Sequence, residues 1–152
     1  MTAKRASLIH RRLIDSLYTD AMLLADEARA YFDWVGRDER DGLTALNRVA
    51  FSCESLKVTT RLMHIIAWLL TQRAVEAGEI EACDALMPSR RLGEAPETDA
   101  AILLAMPVQA AGIIRTSVDL YRRVARLDLT LEEPVALPSP ARTMMNRLAA
   151  SF

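Results

Sequence analysis

Apolar residues recur along this chain at steps of three and four, and nowhere hold the strict alternation of a half-buried strand. The pattern predicts an all-α fold. Leu17, Ala21, Leu24, Ala28, Tyr31 and Val35 set out a first helix over about 13–35, which Gly36 would cap and the charged run "GRDERDG" would end. A second helix, over about 41–77, carries Val49, Cys53, Leu56, Thr60, Met63, Ala67, Leu70 and Ala74 as its core seam, with Val58, Leu62, Ile65 and Leu69 on an adjoining face. Gly78 offers its stop. At 1.5 Å per residue such a helix is about 55 Å long, more than a compact domain needs, so a symmetry mate or a flexible end must account for the excess. A third helix, over about 107–129, takes Pro107 in its first turn and turns Ala110, Ile113, Ser117, Leu120, Val124 and Leu127 inward. Between the second and third lie a short acidic continuation, a loop "MPSRRLGEAPE" rich in proline and charge, and a separate short turn "AAILLAM".

From Thr130 onwards Pro134, Pro138 and Pro140 break the periodicity. The prediction is one bundle domain over 1–129, a three-helix bundle with a long central helix that dimerises, and a largely disordered, flexible tail over 130–152. Met144, Met145 and Leu148 make that tail more apolar than solvation requires, which points to a segment that binds something.

One polar ribbon interrupts the apolar second helix. Glu54, Lys57, Arg61 and His64 stand at steps of three, four and three, and Trp68 extends the line by four. A solvated helix face would explain the charges. Arg61 lies between apolar columns, however, and a charged stripe ending in tryptophan fits a protein-docking surface, so these five residues are the candidate contact set together with Met144, Met145 and Leu148.

Composition narrows the function more than it names it. A chain of 152 residues is large enough to bury about two-thirds of its unfolded surface as one domain. Its net charge of -1 exerts no global pull on nucleic acid or anionic lipid. Lys4, Arg5, Arg11 and Arg12 form a basic arm and Arg122, Arg123 and Arg126 crowd the end of the third helix, but the acidic stretch 76–99 argues against a phosphate-binding face. Cys53 and Cys83 have no ligand spacing and fit reduced packing thiols. The most apolar segment, "LMHIIAWLL", is far shorter than the roughly 20 residues of a membrane span, and the N-terminus lacks a secretory pattern, so a soluble cytoplasmic protein is expected. With two histidines, five glycines, no Gly-rich phosphate loop and no nucleophile elbow, no enzyme, metal or cofactor is expected.

"ESLKVTTRLMHIIAWLLTQRAVEAGEI", Glu54 to Ile80, resembles the signature of the α-proteobacterial family of regulators of CtrA degradation, the RcdA family, a domain-of-unknown-function family. The matching residues are Glu54, Ser55, Leu56, Lys57, Thr59, Thr60, Arg61, Leu62, Met63, Trp68, Leu69, Leu70, Gln72, Arg73, Ala74 and Val75. "LYRRVARLD" and "ARAYFD" are similar to the family's third and first helices, which extends the likeness over roughly 15–129. The resemblance implies a homodimeric three-helix bundle without catalytic residues. It also implies an adaptor that assists ClpXP-dependent degradation of cell-cycle regulators such as CtrA, with the protease, its priming proteins and response-regulator clients as partners. The alternative from the residues alone is a structural or nucleic-acid-associated helical dimer with no part in proteolysis.

Overall fold

The computed structural model describes residues 2–132 and 140–149, and all the regular structure in them is helical. Three long helices form a bundle: α1 (Thr2–Ala30), α3 (Ala45–Glu76) and α5 (Val108–Glu132). Short helices α2 (Gly36–Asp41) and α4 (Ala100–Ala105) lie between them, and α6 (Pro140–Ala149) comes last. Pairings fix the directions. Arg11 meets Glu76 at 3.1 Å and Asp15 meets Arg73 at 3.4 Å, so α1 runs antiparallel to α3. Arg61 reaches Ser117 and Trp68 reaches Asp128, so α3 and α5 run parallel and need a crossover connection, residues 77–107.

The first helix is longer than the pattern predicts, because its polar arm continues in helix from Thr2 ahead of the first core residue, Ile14. Its inward face is Ile14, Leu17, Ala21, Leu24, Ala28 and Tyr31, matching the expected seam up to Tyr31. Val35 leaves it. A π-helical turn over Tyr31–Val35 adds a residue and rotates the next turn of helix, so Val35 faces water and the chain stays helical as far as Asp41. Gly36 is therefore no cap. Its backbone stays in the right-handed region, and a Cβ there would meet the Tyr31 ring at 2.9 Å, so glycine serves close packing. Tyr31 in turn hydrogen-bonds Glu39 and packs edge-on against Phe32.

Thr44 caps α3, its side chain accepting from the Asn47 N–H at 3.3 Å. At the other end Gly78 adopts φ 73° and the Glu79 N–H returns to the Ala74 carbonyl at 2.9 Å, the left-handed stop that the glycine foretells. The core face of α3 is Phe51, Val58, Leu62, Ile65 and Leu69. The face predicted as its seam is turned outward instead: Val49, Cys53, Leu56, Met63, Ala67 and Leu70 are exposed, and Thr60 and Ala74 half-buried. Helical period fixes spacing along a helix but cannot say which of two apolar stripes meets the neighbours. On α5 the expectation holds, with Ala110, Ile113, Ser117, Leu120 and Val124 buried.

After Gly78 the chain makes two short 3₁₀ turns, Asp84–Leu86 and Pro88–Arg90, and then runs extended over 91–99 across α3 and α5. Asp99 caps α4, the separate short helix ahead of Pro107. In the predicted tail, Pro140–Ala149 is helical rather than disordered, since past its proline N-terminus the segment has good helix formers and an amphipathic pattern. Of the rest of that prediction, 130–132 complete α5, and 133–139 and 150–152 lie outside the described residues.

Candidate functional site

The polar ribbon of α3 is the most elaborate side-chain arrangement among the described residues, and it lies inside the molecule. Glu54 is 1% exposed, Arg61 2% and Trp68 2%, while Lys57 and His64 are half-buried. This corrects the expectation of an open docking stripe. The extended segment 91–99 lies along the ribbon and supplies the partners that water would otherwise provide.

Glu54 holds the near end. Its Oε1 accepts from Lys57 Nζ at 2.8 Å and its Oε2 from the Thr98 hydroxyl at 2.6 Å. Thr98 Oγ1 in turn accepts from Arg61 Nη2 at 2.6 Å, so one threonine passes a hydrogen bond between the two buried charges. Arg61 also donates to the Pro96 carbonyl at 3.0 Å and, through Nη1, to Ser117 Oγ at 3.2 Å on α5. Ser117 relays to the Ile114 carbonyl at 2.7 Å. Lys57 donates a second bond to the Glu97 carbonyl at 3.0 Å. A buried ion pair is tolerated only when its remaining donors and acceptors are satisfied, and here backbone carbonyls of the loop do much of that.

The far end is a second clamp. Asp128 Oδ1 accepts from Trp68 Nε1 at 2.9 Å and from Arg91 Nε at 2.8 Å, while Arg91 Nη2 donates to the Asp128 carbonyl at 3.0 Å. Between the clamps Tyr121 donates to the Gly93 carbonyl at 2.7 Å. Gly93 sits against the His64 ring, so closely that a Cβ would stand 2.3 Å from Nδ1. A Cβ there would have to displace the His64 ring or lift the segment.

Burial shapes the titration of the site. It pulls the Arg61 guanidinium below its ordinary value, against the opposing attraction of Glu54 and with some help from Arg122. Burial likewise pushes the Tyr121 phenol up, with Glu94 and Asp128 adding to the rise and a loop backbone hydrogen bond opposing it. Glu54, Lys57, Arg61, Trp68 and Asp128 all find partners within the chain, so the chemical capacity of this arrangement is to fasten: it holds 91–99 down and ties α3 to α5. Among the described residues no three of His, Cys, Asp and Glu converge as metal ligands would.

Two other features remain open. An apolar groove of about 620 Å³ runs between α1 and α3, lined by Ala25, Ala28, Phe32, Leu62, Met63, Ile66 and Leu70 with Arg29 and Asp33 at its rim. On α6, Met144, Met145 and Leu148 are exposed, so these three predicted contact residues share one accessible helix. Sequence reasoning missed the segment 91–99 as the partner of the ribbon. Its signal was indirect, in a Pro-rich loop whose backbone carbonyls have no strand or helix to satisfy them.

Comparison with known proteins places these features in a wider set. The family model described as a protein of unknown function (DUF1465) matches residues 5–152. No curated protein matches the chain. Among solved structures, the crystal structure of RcdA from Caulobacter crescentus CB15 is 32% identical, covers 78% of this chain and 90% of its own, and superposes with a TM-score of 0.64.

Proposed function

The chain belongs to the DUF1465 family and is RcdA-like in sequence and fold; from that premise we propose that it is a non-enzymatic adaptor in regulated proteolysis, assisting ClpXP to degrade a response regulator of the CtrA kind in the cytoplasm. The observation that carries this reading is the 32% identity to RcdA, a name that denotes regulation of CtrA degradation, over 78% of the chain. No described helix is long and apolar enough to cross a membrane, which is compatible with such a role.

An adaptor works by raising the local concentration of a client beside the protease, so moderate contacts at two surfaces suffice. The ribbon from Glu54 to Trp68 is not one of them, because 91–99 covers it. The helix α6 is the better contact. Met144, Met145 and Leu148 give it an apolar face, Arg147 gives it charge, and an amphipathic helix of this kind is suited to a groove on a partner protein. Under this reading the bundle presents α6, and the buried clamps keep the bundle intact while it does so.

The test is the half-life of a CtrA-type regulator in cells lacking the endogenous gene and supplied with full-length protein or with a chain ending at Glu132. Full-length protein should restore turnover, and the shortened chain should restore much less. Equal restoration by both would remove α6 from the mechanism. Restoration by neither, with both proteins folded and abundant, would sink the proteolysis reading itself.

A further inference from the structure

The arginines near the end of the third helix would suit the negative end of the helix dipole if that helix stopped at 129. Instead α5 continues to Glu132, and Arg126 lies more than a turn inside that end, where the dipole no longer favours a cation. Arg122, Arg123 and Arg126 are all exposed, within about 6 Å of rise along one side of the helix. The ion pairs among the described residues engage Arg11, Arg40, Lys57, Arg73 and Arg91, and none of these three. Like charges three and four residues apart disfavour a helix, so the cluster is held against a cost.

The cluster borders a notch of about 220 Å³ between α1 and α5. Leu13, Leu17 and Leu127 give the notch an apolar lining, which Arg123, Arg126 and Thr130 complete. Its room suits one bulky apolar side chain, and the guanidinium groups beside it suit carboxylates on either side of that side chain. The next cavity along the same two helices has the opposite character, since Asp20, Glu27 and Asp119 line it with Arg123 as the one cation. An acidic ligand is drawn to the Arg126 end and turned away from the Asp119 end, which fixes its place along α5.

Charge also sorts the possible occupants. The patch is not complementary to itself, because a second copy would set arginine on arginine, and α6 holds Arg147 and no acid. A phosphodiester backbone could use the arginines, but it has no use for the apolar lining and would meet Asp20 and Asp119 beyond the notch. A protein segment with carboxylates around an apolar anchor uses every part.

We propose that the face of α5 made by Arg122, Arg123 and Arg126, with the notch against α1, docks an acidic segment of a partner protein that inserts one bulky apolar side chain. The site is separate from α6, and it does not rest on the adaptor reading.

The probe is a fluorescein-labelled helical peptide of glutamate and alanine with one central leucine, titrated with the full chain in low salt and read by fluorescence anisotropy. Saturable binding is expected, weakened at least ~10-fold by Arg126→Glu. Arg48→Glu makes the same change of charge at an exposed position on α3 and should weaken binding no more than ~2-fold. Replacing the leucine of the peptide with alanine should cost at least ~5-fold, because the notch is then left empty. Charge reversal separates contact from folding. A peptide with lysine for glutamate should bind the triple variant Arg122→Glu, Arg123→Glu, Arg126→Glu and not the parent, with the circular dichroism of the two proteins alike. No saturable binding, equal loss with Arg48→Glu, or indifference to the leucine would each overturn the proposal. So would a single-stranded oligonucleotide that binds as tightly as the peptide and depends equally on Arg126, since the face would then serve phosphate.

Discussion

Leu62 and Met63 are neighbours on one helix, yet the first is 5% exposed and the second 64%. The two faces of α3 that they represent invert the usual arrangement. Charges Glu54 and Arg61 are inside, partnered by a loop from elsewhere in the chain together with Lys57 and Ser117, and an uncharged apolar stripe is outside. The inner face illustrates that charge can be buried when fixed dipoles replace water, and the outer face that apolar side chains alone do not make a core. What decides is which neighbours the connections deliver. The crossover 77–107 brings carbonyls to the polar face, whereas the described chain leaves Val49, Cys53, Leu56 and Met63 of the apolar one exposed.

The widest separation between the faces should come from Arg61→Ala. It leaves Glu54 buried with Lys57 and Thr98 only and strips Pro96 and Ser117 of their donor, so a loss of ~3–5 kcal/mol in urea unfolding is expected. A loss under about 1 kcal/mol would mean that the buried network relaxes into water and that the loop is no clamp. Next comes a paired truncation: Ile65→Ala, at a wholly buried position, should cost ~2–5 kcal/mol. By contrast Leu56→Ala should stay within ~0.5 kcal/mol in dilute protein. Similar costs at both sites in dilute protein would erase the distinction between the faces.

A smaller effect is expected at Gly93. There a Cβ must displace the His64 ring or lift the loop, and Gly93→Ala should lower stability by ~1–3 kcal/mol and open 91–99 to protease. Cleavage unchanged from the parent would show that His64 alone gives way. The mildest change is with pH. Tyr121 and Tyr31 both have folded-state values raised chiefly by burial, so each holds its proton more firmly folded than unfolded. Their contribution is complete below the unfolded value near ~10 and declines as pH rises above it. The urea midpoint should therefore fall between about pH 9 and pH 11, and Tyr121→Phe should shallow that fall.

Much of the fold was legible in the residues. The seams of α1 and α5, the stop at Gly78 and the independent turn ahead of Pro107 all come from local spacing and cap chemistry. Both stripes of α3 are equally visible, and even the embedded position of Arg61 between apolar columns can be read. Their sides cannot, because the groups that satisfy the ribbon lie 35 residues or more away: Pro96 and Thr98 for Arg61, Ser117 for the same guanidinium, Asp128 for Trp68. Two of the loop's partners are backbone carbonyls, at Pro96 and Glu97, which carry no side-chain signature. Val35 was misplaced for a local reason, the extra residue of the π turn, which no periodicity marks.

The crossover segment also sets an order of events in folding. Residues 91–99 dock on a surface that exists once α3 and α5 lie side by side, since Arg61 on one helix and Tyr121 on the other jointly receive them. Closure of this segment is therefore expected late, past the point at which the bundle commits to its topology, and a φ-value near zero for Thr98→Ala would show it. Interactions made after the barrier act on the escape rate and hardly on the approach. On that order the polar clasp should set how long the native molecule lasts more than how quickly it is reached.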